Sequence, residues 1–297
     1  MTPSAALHDP AFRTYISIVL GVLASAAILL VLLQFVFRIE LGNIWKTYRS
    51  WVVMAPLVAL VIFAGRIPFL LGVTAVSLRA GQEFTQVSGL VRDRWMSGAV
   101  YAAILLTAFG CAPIFGLALF FVVPVLRNHV DGELRLLSFG MIAFVLLGWM
   151  FGQLGFFAST PNAYGYLCYV IFATEVTDVS AFVFGKMFGR HPLRSQISPR
   201  KTWEGALGGL AVALVLPWLL RFSFPFFGTG ELILAGLIVG VGAPLGDLSL
   251  SVIKRELGAK DWGTTLPGHG GVLDRIDSLI FVVPLFMQMT EYYYPGR

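Results

Sequence analysis

The chain has 297 residues, of which 57% are hydrophobic and only 12% are charged. Soluble domains carry about 25% charged residues, so this composition excludes an ordinary soluble enzyme and predicts a single membrane domain over residues 1–297. The net charge of +5 is expected to come from loops on the cytoplasmic side of a membrane and not from a nucleic-acid-binding surface.

Apolar runs predict an all-α fold, a polytopic integral membrane protein with eight to ten transmembrane helices. The first residues lack the basic start and the cleavage site of a signal peptide, so the first run is expected to be retained. Glycines and a proline interrupt 97–126, which fits two short spans or one broken helix. In chain order the runs lie at about 16–37, 51–65, 67–82, 97–110, 111–126, 136–158, 163–185, 205–222, 231–252 and 275–292.

The distribution of basic residues predicts the orientation of these spans. If the loop 186–204 is cytoplasmic, alternation of the spans puts most of the 21 lysines and arginines on that same side. Cytoplasmic loops of membrane proteins carry such an excess of positive charge. We therefore expect both termini outside, and the polar loops before 205 and after 252 together on the cytoplasmic side.

The unusual polar residues are unevenly distributed along the chain. Nearly all of them follow Glu175, so 1–160 is predicted to be mostly a transmembrane scaffold and 161–297 a catalytic half. Glu175 and Asp178, at i and i+3 near the end of an apolar helix, form either a helix-packing pair or part of a site. In the first half, Glu83 ends the third run, where capping or interfacial anchoring is the expected role.

The last two apolar runs flank the richest polar stretch of the chain. Asp247, Ser251 and Lys254 lie at i, i+4 and i+7, on one face of a helix, where a carboxylate inside the membrane needs a nearby cation. A salt bridge from Asp247 to Lys254 would meet that need. A metal ion is favoured because a second acidic pair, Asp274 and Asp277, begins the last helix and faces one way.

The loop Leu266–Gly271 joins these two acidic elements and contains three glycines, which let backbone N–H groups approach a ligand closely. An ordinary re-entrant turn is the alternative. The start of the last helix should offer further free N–H groups to an anion. Together with carboxylates and cations these are the parts of a Mg²⁺–polyphosphate site, where His269 would bind phosphate or transfer a proton. The cations are Lys254, Arg255, Lys260 and Arg275.

A second polar stretch occupies residues 198–205. Ser198 is placed to cap a helix that starts at Pro199, because proline suits the first helical turn, and Thr202 could serve the same purpose. Lys201 has no such local role and is a good phosphate ligand. The stretch lacks the GxxxxGK[ST] order, so it is not a P-loop.

These motifs resemble the signature of phosphatidate cytidylyltransferases (CDP-diacylglycerol synthases). The resemblance holds at every fixed position of Ser251-x-Ile-Lys-Arg-x₄-Lys260-Asp-x-Gly-x₂-Leu-Pro-x-His-Gly-Gly-Val-x-Asp274-Arg-Ile-Asp277. The motif Ser-Pro-x-Lys201-Thr-x-Glu-Gly and the pair Gly-Asp247 are also similar to that family. The clear similarity covers about 178–278, with a local departure in the residues that follow Asp178.

The resemblance implies a Mg²⁺-dependent enzyme, with one metal ion or two, that transfers CMP from CTP to phosphatidate. The products would be pyrophosphate and CDP-diacylglycerol, a precursor in phospholipid biosynthesis. The resemblance further implies a multi-pass protein of the bacterial inner membrane, in contact with membrane lipids, whose active site faces the cytoplasm. It suggests a homodimer, and no nucleic-acid partner is expected.

The resemblance also implies roles for individual residues. The catalytic residues are expected to be Asp247, Asp274, Lys201 and Lys254. The metal ligands are expected to be Asp247 and Asp274, with Asp277 as a further ligand. The substrate-binding residues are expected to be Ser198, Lys201, Lys254, Arg255, Lys260, His269, Gly270, Gly271 and Arg275.

Three alternatives stay open at this point. A related enzyme would keep the CTP chemistry and use a different phospholipid-like acceptor. An ion-coupled transporter would explain Glu175, Asp178 and Asp247 as an ion path, although it does not need the glycine loop or two basic loops on one side. A non-catalytic homologue would predict erosion of the motifs, which the fixed positions do not show.

Overall fold

The computed structural model describes residues 1–35, 42–266 and 270–296, which form a bundle of α-helices. In chain order the helices are α1 (Pro3–His8), α2 (Pro10–Phe35), α3 (Gly42–Phe63), α4 (Arg66–Val87), α5 (Arg94–Ala108), α6 (Pro113–Arg127), α7 (Glu133–Phe144), α8 (Leu154–Phe157), α9 (Ala163–Phe188), α10 (Trp203–Leu219), α11 (Thr229–Glu256) and α12 (Leu273–Tyr293). A π-helical turn and a 3₁₀ turn connect α7 to α8, and further 3₁₀ turns lie at Leu90–Arg92 and Arg221–Ser223.

Each apolar run of the sequence coincides with helical structure, the first as far as Phe35. The run at 97–126 forms two separate helices, α5 and α6, and Gly110 between them has a φ of 90°. The predicted class, an all-α polytopic membrane protein, is confirmed; how many of the shorter helices also cross the membrane stays a prediction. Five segments within the described ranges are long and apolar enough to cross: Pro10–Phe35, Ile44–Phe63, Glu133–Phe157, Ala163–Phe188 and Thr229–Glu256.

Aromatic side chains from α9, α12 and the connection between α10 and α11 form a large part of the core. Tyr166 and Tyr169 of α9 contact Phe286 of α12, with ring centroids 5.8 and 5.4 Å apart. Phe224 and Phe227 stack beside them at 4.3 Å. Each such pair contributes about 0.5–1.5 kcal/mol beyond the area it buries. The outer helices α2 and α3 instead expose large apolar side chains, as expected where lipid is the neighbour.

One end of the bundle collects the N-terminus and the turns before α9 and after α10. The backbone N–H of Thr2 donates to the Tyr164 hydroxyl at 3.2 Å. The side-chain amide of Asn162 donates to the Ser223 carbonyl at 2.8 Å. These bonds hold three chain segments that are distant in sequence at one end, which is the end opposite to the polar stretches.

The other end of the bundle collects the polar stretches that the sequence singled out. The Lys201 side chain pairs with Asp247 of α11. The helices α10 and α11 form the hairpin between these stretches, and they pack so closely that a Cβ on Gly236 would lie 2.7 Å from the Ala213 carbonyl oxygen. The prediction that one helical hairpin brings both stretches to a common side is confirmed. The side of the membrane that this end faces stays a prediction.

A short β-hairpin precedes α10, and it corrects the predicted helix start at Pro199. Strands β1 (Pro192–Arg194) and β2 (Ser198–Thr202) pair antiparallel. The residue before a proline is biased to extended backbone, so Ser198 enters a strand and does not cap a helix. The cap is Thr202, whose backbone is extended and whose hydroxyl accepts from the Gly205 N–H at 3.2 Å.

Candidate functional site

The ion pair between Lys201 and Asp247 joins the two polar stretches. Lys201 lies near the end of β2, and the side chains of Lys201 and Asp247 are 28% and 29% exposed. Asp247 also accepts a hydrogen bond from the Ser251 hydroxyl at 3.2 Å, which confirms the predicted helix face. The partner of Asp247 is therefore Lys201, and the alternative salt bridge from Asp247 to Lys254 is wrong.

The crossing of α11 and α12 brings Asp247 and Asp277 close together. A Cβ on Gly246 would overlap the Asp277 carbonyl oxygen, so this approach requires a glycine. Asp277 is buried, and it lies within electrostatic range of Asp247, Asp178 and Lys254. Two carboxylates from neighbouring helices therefore share one partly closed region, as a cation site requires.

Asp274 is the centre of a hydrogen-bond network. Its Oδ1 accepts from Lys254 Nζ at 2.8 Å, and the side chains of Lys254 and Asp274 are only 8% and 7% exposed. Its Oδ2 accepts from the N–H groups of Trp262 and Gly271, each at 2.9 Å. Both oxygens of Asp274 thus fix the glycine loop and the buried ammonium, while its role as a metal ligand stays a prediction.

The acidic residues of α9 face the same region. Glu175 lies within electrostatic range of Asp178 and Arg275. Asp178 interacts with Ser278 and with the charges of Lys201 and Arg275. Charge interactions therefore link the pair to the polar cluster, and a role in a functional site beyond helix packing stays a prediction. The cluster comprises five carboxylates and three cations among the described residues: Glu175, Asp178, Asp247, Asp274, Asp277, Lys201, Lys254 and Arg275.

Three of the remaining predicted substrate-binding residues, Arg255, Lys260 and Ser198, are among the described residues. Arg255 is exposed, and its Nε donates to the Ile197 carbonyl at 3.2 Å, which ties the end of α11 to the β-hairpin. Lys260 is exposed on the loop after α11, and Ser198 is half-buried in β2. His269 lies outside the described residues. Arg255 thus contacts the hairpin that carries Lys201, and the predicted contacts of all these residues with substrate stay predictions.

The described end of the glycine loop has a backbone that favours glycine. Gly270 has a φ of 81°, which favours glycine, and its carbonyl accepts from the Leu266 N–H at 2.9 Å. The Nε of Arg275, at the start of α12, is buried without a hydrogen-bond partner in the described part of the chain. A buried guanidinium donor without an acceptor is what an anionic ligand would satisfy.

The predicted free N–H groups at the start of α12 are not free. The N–H of Val272 donates to Glu83 Oε1 at 3.0 Å and that of Leu273 to Glu83 Oε2 at 2.9 Å. The N–H of Gly271 donates to Asp274. The prediction was wrong because a carboxylate from α4 occupies this helix end. A glutamate inside an apolar helix was the signal in the sequence, since such a carboxylate needs several donors.

The fold and the site define a multi-pass helical membrane protein with an acid-rich, partly buried charge cluster at one end of its bundle. The sequence profile of the Cytidylyltransferase family matches residues 45–293. The chain therefore belongs to the cytidylyltransferase family.

Individual relatives agree with this assignment. The chain is 43% identical over 160 residues to the phosphatidate cytidylyltransferase of Staphylococcus aureus (strain COL), and 41% over 159 residues to that of Staphylococcus haemolyticus (strain JCSC1435). Each alignment covers 53% of this chain and 58% of the relative, so the chain matches little more than half the length of these enzymes. It is 29% identical over 263 residues to the uncharacterized protein YnbB of Escherichia coli (strain K12), which covers 84% of this chain and 88% of that protein.

Proposed function

We propose that this protein transfers CMP from CTP to phosphatidate, forming CDP-diacylglycerol and pyrophosphate. The observation that carries the proposal is the Lys201–Asp247 ion pair, which joins the two polar motifs into one cluster at one end of the bundle. The staphylococcal relatives that match half of this chain are named phosphatidate cytidylyltransferases. Family membership also argues against the ion-coupled transporter that the buried acids alone would allow.

The proposed step needs charge neutralisation and positioning more than proton transfer. A phosphate oxygen of phosphatidate attacks the α-phosphorus of CTP, the bond from that phosphorus to the bridging oxygen breaks, and pyrophosphate leaves with the electron pair. The attacking phosphate is already ionised at neutral pH, so no strong general base is needed. Lys201 and the Nε of Arg275, which has no hydrogen-bond partner among the described residues, are placed to offset the charge of the phosphates.

The donor set of the cluster fits Mg²⁺. Carboxyl groups outnumber cations in this partly buried place, and a divalent cation would stabilise their ionised forms. Within the described ranges no three His, Cys, Asp or Glu side chains are placed to hold a metal ion by themselves. That agrees with Mg²⁺, which is usually held by one or two carboxylates and by substrate phosphates. Asp247 and Asp277 would hold it, and Asp274 stays a predicted ligand beside them. When bound, the metal ion would polarise the transferred phosphoryl group.

The location of the cluster suits a substrate that is part lipid and part headgroup. Phosphatidate keeps its acyl chains in the bilayer, while CTP arrives from water, so the reaction belongs at a membrane boundary. The cluster lies at one end of a helical bundle whose outer helices expose apolar side chains. We place this end at the cytoplasmic face of a bacterial inner membrane, because the predicted charge asymmetry puts the basic loops there. A homodimer remains part of the proposal.

The proposal is tested with purified protein in detergent, cytidine-labelled CTP, Mg²⁺ and phosphatidate. We expect a labelled lipid and an equal amount of pyrophosphate. A labelled lipid formed only with another phospholipid-like acceptor would identify the alternative enzyme. Absence of a labelled lipid with every phosphatidate species tried would contradict the proposal.

A pair of variants tests the assignment of Lys201. Lys201→Met should reduce kcat/KM by about a hundredfold or more, because a charge aimed at the phosphates is lost. Arg200→Met is the matched control, since Arg200 is the exposed neighbour of Lys201 in β2 and its side chain points to the other face of the strand. Equal losses in both variants would show that only the general positive charge of the hairpin matters.

A further inference from the structure

Glu83 of α4 is buried in the half of the chain that the sequence predicts to be scaffold, and its carboxylate binds residues on both sides of the glycine loop of the other half. Its side chain is 1% exposed. Glu83 Oε1 accepts from the Thr265 hydroxyl at 2.6 Å and from the Val272 N–H at 3.0 Å. Its Oε2 accepts from the Leu273 N–H at 2.9 Å. One carboxylate therefore holds both ends of the segment 265–273.

The loop is shaped around this carboxylate. A Cβ on Gly263 would lie 3.1 Å from the carboxyl carbon of Glu83, and a Cβ on Gly271 would overlap Glu83 Oε2. Next to Glu83, the ring of Phe84 stacks on Trp262 with centroids 5.1 Å apart. Two glycines of the signature are thus required where the loop passes over Glu83, and not only where it would meet a ligand.

Charge complementarity supports the same arrangement. The Arg79 guanidinium, one helical turn before Glu83, lies 3.7 Å from Glu83 Oε1 and also donates to the Thr265 hydroxyl. The Glu83 carboxylate itself sits at the N-terminus of α12, where the helix dipole favours a negative charge. Glu83 therefore occupies the helix end at which the sequence predicted free N–H groups for an anion.

The contacts of Glu83 continue directly into the candidate site. Glu83 binds the N–H groups of Val272 and Leu273, and Asp274 binds the N–H group of the preceding Gly271. Asp274 in turn holds the buried ammonium of Lys254. A shift of the loop away from Glu83 would therefore move Asp274 and Lys254 together.

We propose that Glu83 is a positioning residue for the part of this site that would bind the triphosphate of CTP, an inference that rests on the function proposed above. Glu83 touches no reacting atom. It holds the start of α12 and the glycine loop so that Asp274, Lys254 and Arg275 keep their places around the triphosphate of CTP. Residues 1–160 accordingly contribute to the reaction through α4 and are more than a scaffold.

The first test compares Glu83→Gln with Glu133→Gln. Both remove the charge of a buried glutamate, but Glu133, on α7, pairs with Arg127 and not with a described residue of the segment 263–273. Glu83→Gln should raise KM for CTP by at least about tenfold and change KM for phosphatidate by less than about twofold, because the displaced groups are those proposed to surround the triphosphate of CTP. Glu133→Gln should leave both KM values unchanged. Equal changes in both KM values, or the same change in both variants, would overturn the proposal.

A double-mutant cycle with Thr265→Val separates positioning from general destabilisation. Thr265 donates to Glu83, so the effects of Glu83→Gln and Thr265→Val on kcat/KM for CTP should not add. The double variant should be nearly as active as Glu83→Gln alone. Additive effects would show that the two side chains act independently and would contradict the proposal.

Trypsin cleavage after Lys260, which is exposed on the connection between α11 and the glycine loop, tests the hold of Glu83 on this connection without any catalytic assay. Cleavage in detergent should be at least about tenfold faster in Glu83→Gln than in the wild-type protein or Glu133→Gln, because the loop opens more often when its anchor is lost. If cleavage is faster in Glu83→Gln but the wild-type protein transfers no CMP, the proposed function is refuted, while the contact of Glu83 with the loop is supported. Wild-type cleavage rates in Glu83→Gln would refute the role of Glu83, whatever the transfer assay shows.

Discussion

Replacing Asp274 by asparagine should destabilise the protein as well as remove its activity. The Asp274 carboxylate accepts from Lys254 Nζ at 2.8 Å and from the N–H groups of Trp262 and Gly271 at 2.9 Å each. Asparagine has one acceptor oxygen in place of two. If its amide nitrogen faces Lys254, two donors meet; if it faces the loop, both backbone N–H groups lose their acceptor.

The magnitude follows from burial. The side chains of Lys254 and Asp274 are 8% and 7% exposed. Removing one partner of a buried pair costs about 3–5 kcal/mol, because the other charge is left unpaired. That equals about a hundredfold to several-thousandfold in the ratio of folded to unfolded protein. Asp247 and Lys201 are 29% and 28% exposed, so Asp247→Asn should cost about 1 kcal/mol or less and should lower turnover by orders of magnitude.

Thermal unfolding in detergent, measured beside CMP transfer, separates these two aspartates. We expect a large loss of stability for Asp274→Asn and a small one for Asp247→Asn, with little turnover in either. The double variant Lys254→Met/Asp274→Asn should recover part of the stability without turnover, because the unpaired ammonium is gone. Equal unfolding temperatures for Asp274→Asn, Asp247→Asn and the wild-type protein would refute the structural role of Asp274.

Three further predictions concern the helix crossing, the helix cap and the metal. Gly246→Ala should lower the free energy of unfolding by about 1–3 kcal/mol, because its Cβ would overlap the Asp277 carbonyl oxygen. Gly230→Ala is the control and should leave stability unchanged, since its Cβ would meet no described atom within 4 Å. Unchanged stability in Gly246→Ala would contradict the close crossing of α11 and α12. Thr202→Ala should lower the free energy of unfolding by about 1 kcal/mol because the helix cap is lost, whereas Ser198→Ala should not change it. A larger loss in Ser198→Ala than in Thr202→Ala would instead support a helix that starts at Pro199. Chelation by EDTA should stop CMP transfer and added Mg²⁺ should restore it, while full activity in EDTA would remove the metal assignment.

Local patterns in the sequence account for the helices and for part of the site. Apolar runs predict helices because each buries its backbone hydrogen bonds within one segment. The i, i+4 spacing places Ser251 against Asp247, and the helical hairpin from 205 to 252 brings Lys201 to the same end. These features depend on neighbours along the chain, so the sequence alone is sufficient for them.

The pairing of charges depends on contacts between distant segments and could not be predicted. Asp247 pairs with Lys201 and not with Lys254, because α10 and α11 bring the β-hairpin beside Asp247. Lys254 is held instead by Asp274 from α12. Glu83 binds N–H groups of residues 272 and 273, nearly 200 positions away along the chain. No spacing rule connects residues across such separations, and the predicted free helix end at α12 failed for that reason.

The most direct test of the central claim follows two labels of CTP in the same reaction. Protein in liposomes that contain phosphatidate receives CTP labelled either in the cytidine or in the γ-phosphate, with Mg²⁺ outside and inside. If the cluster around Lys201 and Asp247 transfers CMP, the cytidine label enters the lipid and the γ label appears only in pyrophosphate. Transfer of the γ label to the lipid, or failure of the cytidine label to reach any lipid, would contradict the account.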